Sequence, residues 1–198
     1  MKLIIASNNK GKIKEIKEIF GDKFEEIISQ KEAGCNIEVV EDGTTFFENA
    51  FKKAREISEL TGYAALSDDS GLAVDALNGA PGIYSARYGG ENTDDEKNID
   101  KLLSEMKDEP KRSARFISCV VIYFPGGRFL TAEGAVEGEI LYERKGEGGF
   151  GYDPVFYSYD LNKSFGEASF EEKNAVSHRG KALRALYMKL KEVSNGRL

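Results

Sequence analysis

Apolar residues are spaced along this chain with two different periods, which predicts a fold that contains both strands and helices. Short apolar runs bounded by polar residues are typical of buried strands. They predict strands over 2–7, 26–29, 37–40, 64–67 and 73–76.

Other segments repeat apolar residues every three or four positions, which is typical of helices with one buried face. These helices are expected over 12–20, 45–60, 93–106 and 177–190, and a short helix is expected to begin at 169. Two of them begin with capping boxes, Thr45 to Glu48 and Thr93 to Glu96, and Gly62 ends the second helix.

Two longer strands are predicted over 113–124 and 128–140, joined by a turn at 125–127. Strands and helices alternate early in the chain, whereas this hairpin lies in its middle. The pattern therefore predicts an α/β fold with a mixed central sheet flanked by helices. The length of 198 residues predicts a single domain over 1–198.

The composition limits what the chain can bind. It has 28 basic and 34 acidic residues and a formal net charge of -6, whereas nucleic-acid-binding proteins usually present a basic face. The longest apolar run, Cys119 to Phe124, is too short to span a membrane, and the N-terminal run is too short for a signal peptide. We therefore expect a soluble cytoplasmic protein that binds no nucleic acid and no membrane.

His178 is the single histidine of the chain, which excludes zinc sites that need two histidines. Cys119 lies in an apolar run and is expected to be a core residue rather than a nucleophile. A metal in this protein would be held by carboxylates. Their hard oxygens favour Mg²⁺, with Mn²⁺ as a substitute.

A polar segment links the predicted first strand to the first helix. A helix N-terminus presents free amides and a partial positive charge, both of which suit a phosphate. We interpret the segment either as a phosphate-binding loop or as an ordinary polar turn. It consists of Ser7, Asn8, Asn9, Lys10, Gly11 and Lys12.

Acidic residues stand together at two places. Asp68 and Asp69 precede Ser70 in a predicted turn between two strands. Adjacent carboxylates cost free energy unless a cation or hydrogen-bond donors compensate them, so a metal site is favoured over a structural turn. Glu41 and Asp42, ahead of the long helix, are interpreted from the local pattern as a solvated pair.

The segment 146–154 is rich in glycine. Gly146, Gly148 and Gly151 have the spacing of a dinucleotide fingerprint, but charged residues precede them and Asp153 and Pro154, rather than a helix, follow them, so we reject that interpretation. Phe150 and Tyr152 are suited either to stack on a flat base or to fold into the core. His178 and Arg179 lie in the first turn of the last helix, where cations oppose the helix dipole, although a lone histidine is also compatible with a structural role.

Five segments together resemble, in order, the motif series of the inosine/xanthosine triphosphate pyrophosphatase family. They are SNNKGK, EDGTTFFENAFKKA, DDSGLAVDALNGAPGIYSARY, GGFGYDPVF and EEKNAVSHRGKAL. The resemblance implies Mg²⁺-dependent hydrolysis of the non-standard purine nucleotides ITP, dITP and XTP to the nucleoside monophosphate and pyrophosphate. It also implies an elongated protomer of two lobes with an active-site cleft between them, assembled as a homodimer.

The resemblance further implies a role for each motif residue. Glu41 and Asp69 would hold the metal, and Asp69 would also accept the proton, although the sequence does not divide the catalytic labour between Asp68 and Asp69. The triphosphate would be bound by Ser7, Asn8, Asn9, Lys10, Gly11, Lys12, Lys53 and Lys173. Ser70 would contact the substrate. The base pocket would be formed by Phe150, Gly151, Tyr152, Asp153, His178 and Arg179.

Two other functions stay open at this stage. One is a Maf-like pyrophosphatase of modified pyrimidine nucleotides, a relative with a similar architecture. The other is a nucleotide-binding module without turnover. Binding alone gains little from acidic residues clustered beside a polyanion, which argues against the second.

Overall fold

The structure is a computed structural model that describes residues 1–90 and 93–194. Its strands are β1 (Lys2–Ile5), β2 (Glu26–Ser29), β3 (Ala64–Val74), β4 (Ser113–Tyr123), β5 (Phe129–Ile140), β6 (Phe156–Ser158) and β7 (Lys163–Ser164). Its helices are α1 (Lys10–Phe20), α2 (Phe46–Thr61), α3 (Asp95–Glu105), α4 (Phe170–Val176) and α5 (His178–Ser194). Within the described ranges, no helix is long and apolar enough to cross a membrane.

In the described part of the chain, seven strands form one mixed sheet in the order β2-β1-β3-β4-β5-β6-β7. β1 is parallel to β2 and β3, with Ile4 paired to Ile28 on one side and to Ala65 on the other. β6 is antiparallel to β5 and β7. The predicted mixed α/β sheet is therefore confirmed. β6 and β7 were not predicted, because two or three residues are too few to show an apolar period.

The chain divides into two compact units, and β3, β4 and β5 contribute residues to both. Unit 1 comprises Met1–Asp69, Ser118–Gly134 and Arg179–Leu198. Unit 2 comprises Ser70–Ile117 and Ala135–His178. The single domain over the whole chain stays a prediction, and its range includes 91–92 and 195–198, which lie outside the described residues.

Each unit has its own apolar core. In unit 1, Leu3 and Ile5 of β1 pack with Ile16 and Phe20 of α1 and with Leu186 of α5. The core of unit 2 contains Leu72, Ile99, Leu102, Phe116, Phe156 and Phe165. Apolar burial is the main favourable term in folding, so each core fixes the elements that carry the polar residues of its own unit.

The main departure from the sequence prediction is in β3. The pattern predicts two strands, 64–67 and 73–76, separated by a turn at Asp68 and Asp69, but β3 continues through all of these residues up to Val74. The predicted turn is wrong. Polar residues interrupt the apolar run, yet the strand continues because hydrogen bonds and ion pairs compensate both carboxylates.

Two smaller predictions are also wrong. The segment 37–40 is not a strand; the side-chain amide of Gln30 donates to the carbonyl of its first residue (3.1 Å), so that acceptor needs no neighbouring strand. Helix α3 is capped by Asp94 rather than Thr93, because the carboxylate of Asp94 accepts from the Lys97 amide at 2.9 Å.

Candidate active site

Unit 1 contains a polar pocket of about 510 Å³. Six residues singled out in the sequence contribute to its lining: Ser7, Asn8, Lys12, Glu41, Lys53 and Asp68. They come from three separate segments of the chain. The fold therefore brings together the predicted phosphate-binding segment, one predicted metal ligand and one of the paired aspartates.

The loop that enters this pocket is held by Asn9. Its Oδ1 accepts hydrogen bonds from the amides of Gly11 (2.9 Å) and Lys12 (3.1 Å), which caps α1. Its own amide donates to Ser7 Oγ at 3.1 Å. This cap explains why the helix begins at Lys10, two residues before the predicted start.

Lys10 does not line the pocket, although the resemblance assigns it to the triphosphate together with Lys12. It lies on a neighbouring hollow with Lys14, Lys17 and Lys31. Residues two apart on a helix face different directions, and this explains why only the second lysine of the pair reaches the pocket.

Asp68 is buried between two cations. Its Oδ1 lies 2.9 Å from Lys12 Nζ, and its Oδ2 accepts from Arg179 Nε at 3.0 Å, while the residue is 3% exposed. Burial raises the pKa of this carboxyl, but Lys12, Arg179 and Lys53 together outweigh burial and hold the pKa well below its usual range. Asp68 is therefore ionised at neutral pH and poorly suited to accept a proton.

Glu15 belongs to the same cluster, and the sequence did not single it out. It is 6% exposed, and its Oε2 lies 3.7 Å from Arg179 Nη1. The sequence of α1 mixes lysines and glutamates, which is typical of an exposed helix face, so Glu15 could not be told apart from its exposed neighbours. The available signal was spacing, since Glu15 lies three positions after Lys12 and therefore on the same face.

Asp69 has different neighbours. Its Oδ2 accepts from Asn49 Nδ2 at 3.0 Å, and Asn49 Oδ1 in turn accepts from the Gly43 amide at 2.8 Å. Burial raises the pKa of Asp69, and nearby carboxylates raise it further, although Lys53 and Asn49 lower it. Of the two adjacent aspartates, Asp69 therefore accepts a proton more readily.

Lys53 connects Glu41 to the backbone of β3. Its Nζ donates to Glu41 Oε1 at 3.1 Å and to the main-chain carbonyl of Asp68 at 2.8 Å. Asn49, which the sequence did not single out, lies four residues earlier on the same face of α2. Glu41 thus belongs to the pocket, whereas Asp42 forms an exposed ion pair with Lys52.

The carboxylates of unit 1 suit a metal that takes most of its ligands from a substrate. Among the described residues, no group of three or more acidic, histidine or cysteine side chains could hold a metal ion. Glu41 does lie close enough to Asp69 to raise the pKa of that carboxyl. Mg²⁺ is commonly bound by one or two carboxylates together with phosphate oxygens and water, so the oxygen donors of Glu41 and Asp69 are of the chemical type that it takes.

Of the residues predicted to contact the base, Phe150 and Gly151 lie in a loop of unit 2 at 144–151, which we call the base loop, and Tyr152 and Asp153 follow it. Arg179 does not belong to this group, because it lies in unit 1 and pairs with Asp68. Asp153 is buried, forms a short ion pair with Lys173, and accepts from the Phe150 amide at 2.8 Å. Lys173 Nζ lies 4.0 Å from the centroid of the Phe150 ring, which is 54% exposed. Lys173, assigned to the triphosphate by the resemblance, thus contacts residues assigned to the base.

The two aromatic residues of this segment differ. Phe150 is exposed, but Tyr152 is 4% exposed and its hydroxyl donates to the carbonyl of Ser85 at 2.8 Å. His178 is also buried and stacks on Phe116, with ring centroids 4.9 Å apart. Folding into the core therefore describes Tyr152, whereas the exposed ring of Phe150 leaves the stacking alternative as a prediction.

Gly151 and Ser70 complete the predicted set. Gly151 adopts a φ of 59°, in the left-handed region that glycine tolerates best. Ser70 follows Asp69 on β3 and is partly exposed.

Sequence comparison relates the chain to known enzymes. It is 53% identical over 186 residues to the dITP/XTP pyrophosphatase of Desulforamulus reducens, a match that covers 93% of this chain and 92% of that protein. It is 50% identical to the dITP/XTP pyrophosphatase of Clostridium perfringens, with 97% of this chain and 98% of that protein covered.

Solved structures agree with this relation. The Ham1 protein of Staphylococcus aureus matches with a TM-score of 0.90 and 42% identity, and the match covers 98% of this chain and 100% of that chain. A nucleoside-triphosphatase / dITP/XTP pyrophosphatase from Mycobacterium abscessus matches with a TM-score of 0.79 and 41% identity, covering 94% of this chain and 98% of that chain. Because residues 3–189 also match the Ham1 family model, the chain belongs to the Ham1 family.

Proposed function

We propose that this protein hydrolyses ITP, dITP and XTP to the nucleoside monophosphate and pyrophosphate, and so removes non-standard purine nucleotides. The similar proteins from Desulforamulus reducens and Clostridium perfringens are both named dITP/XTP pyrophosphatases. The observation that carries the proposal is the polar pocket of unit 1, where Lys12 lies beside Asp68 and Lys53 lies beside Glu41.

The cations of unit 1 bind the triphosphate. Lys12 and Lys53 are each held in place by a carboxylate, Asp68 and Glu41 respectively. Asp68 keeps Lys12 and Arg179 together, because the buried negative charge compensates two positive charges that would otherwise repel each other. These cations are therefore already in position when a polyanion arrives, which is the arrangement that stabilises charge on a leaving phosphate group.

Asp69 accepts the proton of the attacking water. Asn49 fixes the orientation of its carboxylate, and its raised pKa makes it a better base than its ionised neighbour Asp68. The water oxygen forms a bond to the α-phosphorus while the bond to the bridging oxygen breaks. Pyrophosphate leaves, and the proton stays on the Asp69 carboxylate.

Glu41 and Asp69 are the carboxylates that would hold Mg²⁺, or Mn²⁺ in its place. When bound, such an ion neutralises charge on the phosphate oxygens. Lys53, which donates to Glu41, orients this carboxylate from the α2 side.

Unit 2 binds the base. Phe150 offers an exposed ring for stacking, and Lys173 beside it offers a hydrogen-bond donor. Hypoxanthine and xanthine present an acceptor at position 6, whereas adenine presents an amino donor there. A site that presents a hydrogen-bond donor to position 6 therefore disfavours adenine, because the donor of the protein and the amino group of adenine would face each other unpaired. Lys173 lies beside Phe150 in unit 2, whereas Arg179 lies in unit 1 and pairs there with Asp68 and Glu15, so we assign this donor role to Lys173.

A substrate panel tests the proposed function. Initial rates of pyrophosphate release from ITP, XTP, GTP, ATP and dTTP are measured with Mg²⁺ and with excess chelator. We expect kcat/KM for ITP and XTP to exceed that for ATP by about 10⁴-fold, the ratio reached when a mismatched base leaves buried donors unpaired, and we expect turnover to stop in chelator. Equal values for ITP and ATP would contradict the proposal. Preference for dTTP would support a Maf-like pyrimidine pyrophosphatase, and binding without turnover would support a nucleotide-binding module.

We also propose that the protein acts in the cytoplasm as a homodimer, with the whole chain folded as one domain. Sedimentation equilibrium of the purified chain tests the oligomeric state. A mass that stays at one protomer over the micromolar range would contradict the dimer.

A further inference from the structure

One end of the base loop is held by helix α3. The Gly151 amide donates to Asp95 Oδ2 at 2.7 Å. Asp95 is the first residue of α3, and it lies far from the loop in sequence. This contact is a charge-assisted hydrogen bond to the backbone beside Phe150, and such bonds are stronger than those between neutral groups.

The other end of the loop is held by the same helix. Arg144 Nη2 lies 2.9 Å from Glu96 Oε2 and 2.8 Å from Asp100 Oδ1. Helix α3 therefore contacts the loop at its first and last residues. Exposed ion pairs such as these contribute little, which leaves the hydrogen bond from the Gly151 amide to Asp95 as the contact between α3 and the backbone of the loop.

Contacts on the inner side leave the loop little freedom of its own. The Gly148 amide donates to the carbonyl of Gly166 at 2.9 Å. A Cβ at Gly149 would collide with the carboxylate of Asp153, the acceptor of the Phe150 amide. Asp153 restrains the loop from within and α3 restrains it from outside, and Phe150 lies where these restraints meet.

We propose that Asp95 is a positioning residue for base recognition, which holds the Gly151 amide from α3 and so keeps Phe150 in place over Lys173. This inference rests on the proposed function, because it assumes that Phe150 receives the base. When only a fraction of molecules has the binding conformation, the apparent dissociation constant rises in inverse proportion to that fraction. Loss of the contact therefore raises KM and leaves kcat, which depends on unit 1, nearly unchanged.

Two substitutions at Asp95 separate the hydrogen bond from the charge. Asp95→Ala and Asp95→Asn both remove a negative charge from the first turn of α3, but only asparagine keeps an oxygen that accepts from Gly151. Asp108→Asn is the matched control, since it removes an exposed negative charge beyond the end of α3. We expect KM for ITP to rise about tenfold in Asp95→Ala, with kcat within about twofold, to rise less in Asp95→Asn, which keeps a neutral acceptor, and to stay near the wild-type value in Asp108→Asn.

Amide hydrogen exchange of the base loop provides a readout that needs no substrate. We expect faster exchange in a peptide covering the loop for Asp95→Ala, a smaller increase for Asp95→Asn, and wild-type exchange for Asp108→Asn. Unchanged exchange in Asp95→Ala, or an equal rise of KM in both Asp95 variants, would overturn the proposal. So would faster exchange without any change of KM. If the wild-type protein turned over no ITP, the proposed function would fail and with it the role in base recognition, while the exchange data would still decide whether Asp95 holds the loop.

Discussion

The pocket of unit 1 and the base loop of unit 2 position their polar residues in different ways. In unit 1, charged side chains on α1, α2, α5 and β3 fix each other, with Asp68 between Lys12 and Arg179 as the centre. In unit 2, the loop has no regular structure of its own and is fixed by backbone amides that donate to Asp153 and Asp95.

This difference indicates what a substitution does in each place. Removing a charge from the unit 1 cluster leaves its partner charges uncompensated. The free energy of unfolding or kcat is therefore expected to fall. Removing a side chain from the loop alters the shape of a binding surface and leaves the apolar core of unit 2 in place. We therefore expect unit 1 variants to affect stability or kcat, and base-loop variants to affect KM.

The largest expected effect belongs to Asp68→Asn. The substitution leaves the buried Arg179 and the partly buried Lys12 without their shared counter-charge, so we expect a loss of about 3–5 kcal/mol in the free energy of unfolding. Urea denaturation measures it. The control is Asp42→Asn, which removes an exposed carboxylate that pairs with Lys52 and should leave the denaturation midpoint unchanged. Equal stability of both variants would show that Asp68 does not organise the cluster.

Asp69→Asn should separate chemistry from folding. Asparagine keeps an oxygen for the Asn49 amide but cannot take a proton from water, so we expect kcat for ITP to fall by more than about 10²-fold. The midpoint of thermal unfolding should stay within a few degrees of the wild-type value. Near-normal turnover would reject Asp69 as the proton acceptor.

Phe150→Leu tests the base loop directly. Leucine keeps the apolar character but removes the ring, and loss of base stacking should raise KM for ITP about tenfold with little change in kcat. Tyr159→Leu, another exposed aromatic residue of unit 2, serves as the control and should behave as wild type. A fall in kcat without a rise in KM would place Phe150 in the chemical step instead.

The smallest effect is expected at Lys52, the neighbour of Lys53 on α2. Lys52 pairs with Asp42 on the surface, and exposed ion pairs contribute little, so Lys52→Met should keep kcat/KM within about twofold of wild type. Lys53→Met should lower kcat/KM far more, because it removes a cation that lies between Glu41 and Asp68. Similar losses in both variants would mean that overall charge, rather than the contacts of Lys53, sets the rate.

The sequence predicted those helices whose first and last residues are set by neighbours in the chain. The capping box from Thr45 to Glu48 is present at the start of α2, and Gly62 ends that helix in the left-handed conformation, as predicted. The mixed sheet follows from the same spacing. β3 could not be predicted as one strand, because the compensation of Asp68 and Asp69 comes from α1, α2 and α5, which no local pattern reveals.

The same limit applies to the candidate site. Residues such as Lys12, Glu41 and Lys53 could be selected because their motifs occur in order along the chain. Glu15 and Asn49 are concealed among ordinary helical positions, and only their spacing from the lysines indicates that they share a face. The contact between Asp95 and the base loop is set by the packing of distant segments, so the sequence contains no local signal for it.

The position of a heavy-oxygen label after hydrolysis tests the central claim most directly. The protein is allowed to hydrolyse ITP with Mg²⁺ in water labelled with heavy oxygen, and the products are examined by mass spectrometry. Attack on the α-phosphorus predicts labelled inosine monophosphate and unlabelled pyrophosphate. Label in pyrophosphate, or release of inosine diphosphate with labelled orthophosphate, would contradict the account.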